Sequence, residues 1–221
     1  MTSSIEQKAR RFLSQLPDHV QLIAAAKTRS LDEIRAVVAG GVRFIGHNYV
    51  QEAERSIAAL GRSAASWHMI GHLQRNKAKT AVRLFDAIQT VDSLPLAERI
   101  DREARAAGRE MQILVEINSA REAGKTGLLP EDAVDFMREA AKLPSIHIEG
   151  LMTMGPLSSD LEHVRPFFAH TKSLFDRIGA MRIEGACMKT LSMGMSHSYT
   201  VAIEEGANMV RIGTALFGPR S

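Results

Sequence analysis

Leu22-Ile23-Ala24-Ala25-Ala26-Lys27-Thr28-Arg29-Ser30-Leu31-Asp32-Glu33 holds the choice of fold. The apolar run Leu22–Ala26 is short enough for a buried strand and ends in a lysine. Ser30-Leu31-Asp32-Glu33 is a capping box, and Gly40-Gly41 closes the helix it opens with residues that tolerate positive φ. A strand passes into an amphipathic helix within a few residues, the first half of a βαβ unit.

The same alternation recurs to the end of the chain. Candidate strands are 22–26, 42–46, 67–70, 87–91, 112–117, 146–152, 190–193 and 209–212. Between them, Leu96, Ile100 and Ala104 recur at helical spacing, with Gly108 as a stop. Pro130 suits a first helical turn, with Val134, Met137 and Ala141 as the buried stripe. Ser159–Glu162 reads as a second capping box, opening a helix that buries Val164, Phe168, Phe175 and Ile178. Eight strands alternating with helices predict parallel pairing, each helix supplying a crossover. The expected fold is α/β, one (β/α)8 TIM barrel spanning 1–221, with an extra N-terminal helix before Leu22. An open doubly wound sheet is the alternative, and the absence of Gly-x-Gly-x-x-Gly after the first strand counts against its dinucleotide-binding form.

Composition narrows the function. At 221 residues, 45% hydrophobic and 24% charged, the chain has the balance of one globular domain. The net charge of +3 is spread out; Lys8-Ala9-Arg10-Arg11 is its densest cluster, not the basic face that nucleic acid requires. Cys187 is the single cysteine, which rules out an internal disulfide and permits a reducing compartment. The opening Met1–Gln7 lacks a leader pattern, and no apolar run approaches the roughly 20 residues of a membrane span. The expected location is cytoplasmic. No His/Asp/Glu set has metal-ligand spacing, and Cys187 has no recognisable base partner.

In a barrel of this kind the reactive residues stand at the C-terminal strand ends. That picks out Lys27-Thr28, Gly46-His47-Asn48, Gly71-His72, Ser192–Ser196 and Arg211–Thr214. Lys27 is either a lysine reaching into water or an amine desolvated for attack on a carbonyl. Ser192, Ser196, Gly213 and Thr214 lie after strands seven and eight, where barrels often bind phosphate; ordinary turns use the same residues. Arg211, inside an apolar stretch, must find water, a carboxylate or a ligand. His68 and His72 share one strand face; His68 reads as a satisfied core histidine, and His72 as a residue of the mouth.

Several stretches together resemble the pyridoxal phosphate homeostasis proteins, the YggS-like or PROSC family. They are Ala25–Thr28, Gly46–Glu52, Trp67–Lys77, Gly124–Gly127, Gly150–Met152, Leu191–Ser196 and Val210–Gly218, in family order along nearly the whole chain. The resemblance implies a barrel like the N-terminal domain of alanine racemase. It implies pyridoxal 5′-phosphate (PLP) as a Schiff base on Lys27, Asn48 lining the pocket and Arg211 at the ring nitrogen. It also implies a phosphate held by Ser192, Ser196, Gly213 and Thr214. The family usually has Gly-Glu-Asn-Tyr after strand two; here His47 replaces the acid, which is expected to alter the charge balance at the rim.

The function expected from this resemblance is a non-catalytic PLP carrier or buffer that hands cofactor to apo-enzymes. A weak PLP-dependent amino-acid racemase is the alternative, and a barrel enzyme forming a Schiff base with a sugar is a third reading. Arg211 favours the carrier, because a permanently charged donor keeps the ring nitrogen unprotonated. The chain's end at Ser221 carries the further expectation that no second domain supplies an opposing base.

Overall fold

The computed structural model describes residues 4–156 and 158–219; the opening Met1-Thr2-Ser3, Leu157 and the final Arg220-Ser221 lie outside them. Eight parallel strands close into a barrel in chain order: β1 (Gln21–Ala25), β2 (Phe44–His47), β3 (Ser66–Met69), β4 (Ala87–Val91), β5 (Met111–Glu116), β6 (Ile146–Met152), β7 (Ala186–Ser192) and β8 (Met209–Ile212). β8 returns to β1 with Arg211 beside Ile23, so the sheet has no free edge. The barrel, and not the open sheet, is the fold.

Among the described residues the helices are α1 (Ile5–Gln15), α2 (Leu31–Ala39), α3 (Val50–Leu60), α4 (Ala78–Leu84), α5 (Leu94–Ala106), α6 (Ala133–Ala140), α7 (Leu161–Met181), α8 (Tyr199–Glu204) and the single turn α9 (Thr214–Phe217). α1 is the expected extra helix. Its Ser4 makes a full capping box with Gln7, as Ser30 does with Glu33 at α2. Gly40 lets α1 approach α2 closely: a Cβ there would lie 2.6 Å from the Cβ of Ala9 and 2.9 Å from the Glu6 carbonyl. No described helix is long and apolar enough to cross a membrane.

Two helix starts differ from the sequence expectation. Asp160, not Ser159, caps α7: its carboxylate accepts from the amides of both Glu162 and His163. A charged acceptor serving two amides at the positive end of a helix outcompetes a serine one residue earlier. Pro130 lies in a turn ahead of α6, whose buried face is Ala133, Phe136, Met137 and Ala140; Val134 and Ala141 are half-buried.

Strand period 2 divides the barrel residues between two environments. Ile45, Trp67, Met69, Ile88 and Ile113 belong to the main core shared with the helices. Ile23, Ile70 and Met209, with Ala25 and Phe44, form a separate small apolar cluster within the barrel. That interior also carries polar groups, with His68, Gln89, Glu116, Ser192 and Arg211 all buried.

Candidate functional site

The mouth is built from the C-terminal ends of these strands. Lys27 follows β1 in a turn where Thr28 takes a positive φ of 62°. The lysine is half-buried, with Nζ 5.4 Å from the centre of the Tyr49 ring. Among the described residues it makes no ion pair. Asn48, half-buried beyond β2, packs on Gly71: a Cβ at Gly71 would sit 2.5 Å from the Asn48 carbonyl. Exposed His72 and half-exposed Tyr49 share a cavity of about 400 Å³ with Asn48, Gln74 and Lys77.

Arg211 projects into the barrel from β8 and is 4% exposed. It donates to the Ser192 carbonyl (2.8 Å), the Ser192 hydroxyl (2.7 Å) and the Thr153 carbonyl (2.8 Å). A guanidinium has five N–H donors, so two remain after these bonds. Burial lowers its pKa to about 10, opposed by the Glu116 carboxylate, and it stays cationic at neutral pH. Of the water, carboxylate or ligand that the sequence leaves open, the structure shows carbonyl and hydroxyl oxygens with the Glu116 carboxyl nearby, and two donors free for a ligand.

Ser192 is fully buried, its hydroxyl committed to Gln89 (2.8 Å) as well as to Arg211. It lies under Arg211 and apart from the turn that joins β8 to α9. In that turn Ser196 and Gly213 do meet. The Ser196 hydroxyl accepts from the amides of Gly213 (3.1 Å) and Ala215 (3.3 Å), while Thr214 is exposed beside them. A Cβ at Gly213 would lie in ordinary van der Waals contact with Ala25, 3.6 Å from its carbonyl oxygen and 3.8 Å from its Cβ, which sets this turn against the end of β1.

Two contributors, Glu116 and Gln89, are absent from the sequence reading. Glu116 ends β5, 2% exposed; Oε1 accepts from Thr126 (3.0 Å) and Oε2 has no partner among the described residues. Burial raises its pKa, with Thr126, Arg211 and His72 opposing and Asp92 reinforcing the rise. The loop Gly124–Gly127 closes over it, pinned by the Gly127 amide to Asp92 (3.2 Å). A charged residue in the apolar run Ile113–Ile117 is the signal that singled out Arg211, and it applied here equally. Gln89 is the second, bonded to Ser192 on one side and to His68 on the other. His68 is thus the satisfied core histidine that its strand position suggested.

His47 is a correction. Its ring stacks on Trp67 (5.9 Å, 18°), 1% exposed, away from the mouth. Period 2 turns His47 outward with Ile45, while Gly46 and Asn48 face inward. The replacement therefore leaves the rim charges alone and places an imidazole in the helical layer, where neither ring nitrogen has a partner among the described residues.

The site's residues fit a phosphorylated aromatic aldehyde. There is an amine without a counter-ion among the described residues, a buried cation with donors to spare, and a turn whose hydroxyl and backbone amides meet beside the end of β1.

Comparison with known proteins gives the same direction. The family model for the alanine racemase N-terminal domain matches residues 2–221. The pyridoxal phosphate homeostasis protein of Aquifex aeolicus is 36% identical, covering 97% of this chain and 93% of its own length. That of Escherichia coli K12 is 33% identical, over 92% and 87%. The solved structure of PipY from Synechococcus elongatus with PLP bound superposes with a TM-score of 0.90 at 36% identity, covering 97% of this chain and all of that one. Alanine racemase of Clostridium difficile, at 19% identity and TM-score 0.78, shares the fold over 55% of its length. By sequence over nearly its full length and by fold, this chain belongs to the pyridoxal phosphate homeostasis protein family.

Proposed function

We propose that this chain binds PLP covalently through Lys27 and serves in the cytoplasm as a carrier that keeps the cofactor available to apo-enzymes. The observation that supports the reading is that β1, which leads into Lys27, pairs with β8, which carries Arg211 and leads into the Ser196–Gly213 turn. The bound relative PipY has the same fold at 36% identity. When bound, the cofactor supplies a reactive aldehyde and an electron-withdrawing ring.

Each residue then has a task. Lys27 offers the amine, and the small Ala25, on the inward face of β1, leaves room for a flat ring. Ser196, Gly213 and Thr214 supply hydroxyl and amide donors to the phosphate, the Ser196 hydroxyl giving up its present hold on the Gly213 and Ala215 amides. Asn48 and His72 line the entrance. Arg211 presents its remaining N–H groups to the ring nitrogen, and Ser192 holds Arg211 from below. As a permanent cation Arg211 cannot act as the acid that activates the ring in carbanion-forming enzymes.

The test is chemical. Purified protein incubated with PLP is reduced with borohydride, digested and mapped by mass spectrometry. The adduct is expected on Lys27. An adduct on other lysines with Lys27 unmodified would overturn the assignment.

A further inference from the structure

Arg211 is one end of a hydrogen-bond chain that crosses the barrel interior. We propose that Gln89 is a positioning residue of the mouth, holding Arg211 in place through the Ser192 hydroxyl and being itself oriented by His68. The proposal rests on the PLP reading above and extends it to residues that do not touch the cofactor.

The direction of every bond follows from the chemistry at the ends. Arg211 can only donate, so the Ser192 oxygen accepts at 2.7 Å. The Ser192 proton then goes to the Gln89 carbonyl oxygen at 2.8 Å, across from β7 to β4. That fixes the amide, whose Nε2 faces Nδ1 of His68 at 2.9 Å and the Met209 sulfur at 3.2 Å. Nδ1 is therefore the acceptor, and the ring proton sits on Nε2, which donates to the Ser66 hydroxyl at 3.1 Å. Ser66 donates onward to Asp86 at 3.5 Å. Asp86 is anchored by Arg62 and by the Trp67 amide (2.8 Å). The chain thus runs from a guanidinium to a carboxylate with all donors pointing one way, an arrangement in which each bond polarises the next.

Gln89 and Ser192 are fully buried, so a polar atom left without its partner at either is costly. Replacing Gln89 with an apolar residue leaves the Ser192 proton and the His68 acceptor unmatched at once. Ser192 then has no reason to keep its oxygen toward Arg211. Burial also holds His68 neutral, near pKa 4 against the pull of Asp86, which keeps Nδ1 an acceptor under ordinary conditions. Below the chain, at the opposite end from the mouth, His68, Gln89 and Ser66 line a cavity of about 310 Å³.

The test is a double-mutant cycle on the full chain, reading the PLP dissociation constant from the visible band of the bound cofactor. Gln89→Met and Ser192→Ala should each weaken retention by about tenfold, the scale of one hydrogen bond to a charged group. Together they should also weaken it by about tenfold, because both break one link. Gln89→Glu should bind within about threefold of the parent, since its carboxylate still accepts from Ser192 and can accept from the other His68 tautomer. A double variant weakened by about a hundredfold, or Gln89→Met with unchanged affinity and band, overturns the proposal. If Gln89→Met does not fold, Ser192→Ala together with the tautomer of His68 decides: unchanged affinity in Ser192→Ala overturns the link. Failure of the parent to take up PLP on Lys27 would remove the functional reading instead. The chain itself is then read in the cofactor-free protein by nitrogen NMR of His68: protonation at Nε2 is expected, and an Nδ1–H tautomer overturns it.

Discussion

His47 and His68 occupy opposite sides of the barrel wall and share one electrostatic fate. Burial lowers both to about pKa 4 from 6.5; at His68 the Asp86 carboxylate works against that fall. Between those values the unfolded chain takes up protons that the folded chain refuses. Stability is therefore full above about pH 6.5 and falls as the pH drops toward 4, by at most about 3 kcal/mol per histidine. His47→Phe keeps a ring against Trp67 and removes one titrating group. Urea unfolding of the cofactor-free protein from pH 7.5 to 4.5 should then show a shallower loss than in the parent; equal slopes would mean that His47 titrates as freely folded as unfolded. Arg211 gives a second measurement at this scale. Arg211→Glu sets a carboxylate against the Ser192 and Thr153 carbonyls and near Glu116, and should destabilise by about 3–5 kcal/mol. Arg211→Gln keeps a donor for those carbonyls and should lose markedly less. Urea midpoints distinguish the two, and equal losses would show that the carbonyl contacts are incidental.

α1 is tied to the barrel's outer layer by a packing detail with a measurable consequence. Gly40→Val would push side-chain atoms into Ala9 and the Glu6 carbonyl, already 2.6 and 2.9 Å from a Cβ position. Overpacking of this kind costs about 1–3 kcal/mol, and α1 is the piece free to move. Early proteolysis near Leu16-Pro17 with the remaining barrel intact is the expected sign; an unchanged digestion pattern would mean that α1 accommodates the methyl groups. Elements of this size were the most legible part of the sequence. β4, β6 and β8 fall on the residues marked in the sequence; β4 and β8 are buried throughout, and β6 is buried from Gly150 onward, with His147 exposed and Glu149 half-buried before it. β7 begins at Ala186, four residues before the run at Thr190, because its first half alternates between exposed and half-buried positions. The α7 start was misplaced by one residue because two candidate caps, Ser159 and Asp160, stand side by side, and only the number of amides each reaches decides between them.

At the scale of the whole barrel, the strand-end rule placed Lys27, Asn48, His72 and Arg211 around one mouth without any knowledge of pairing. The interior network was illegible for the converse reason. Gln89 and Ser192 are 103 residues apart, and a link across the barrel depends on register, which no local pattern encodes. The same architecture sets what the mouth can do. Tyr49 is half-exposed, His72 and Thr214 are exposed, and Lys27 itself is half-buried, so part of its side chain meets solvent. With Arg211 at the ring nitrogen, as proposed, a fixed positive charge would stand where a strong carbanion-forming site needs an acid, and each missing transition-state contact lowers a rate by roughly 10²–10⁴. Turnover of common amino acids by racemisation or transamination should therefore be negligible. Handing over the cofactor asks only that an incoming amine displace Lys27, which an open mouth permits. Two measurements on one preparation separate these outcomes: proton exchange at the amino-acid Cα in deuterated water, and reactivation of an unrelated apo-transaminase by the loaded protein. Reactivation with slow exchange is expected of the carrier; rapid exchange without reactivation would make the barrel a racemase.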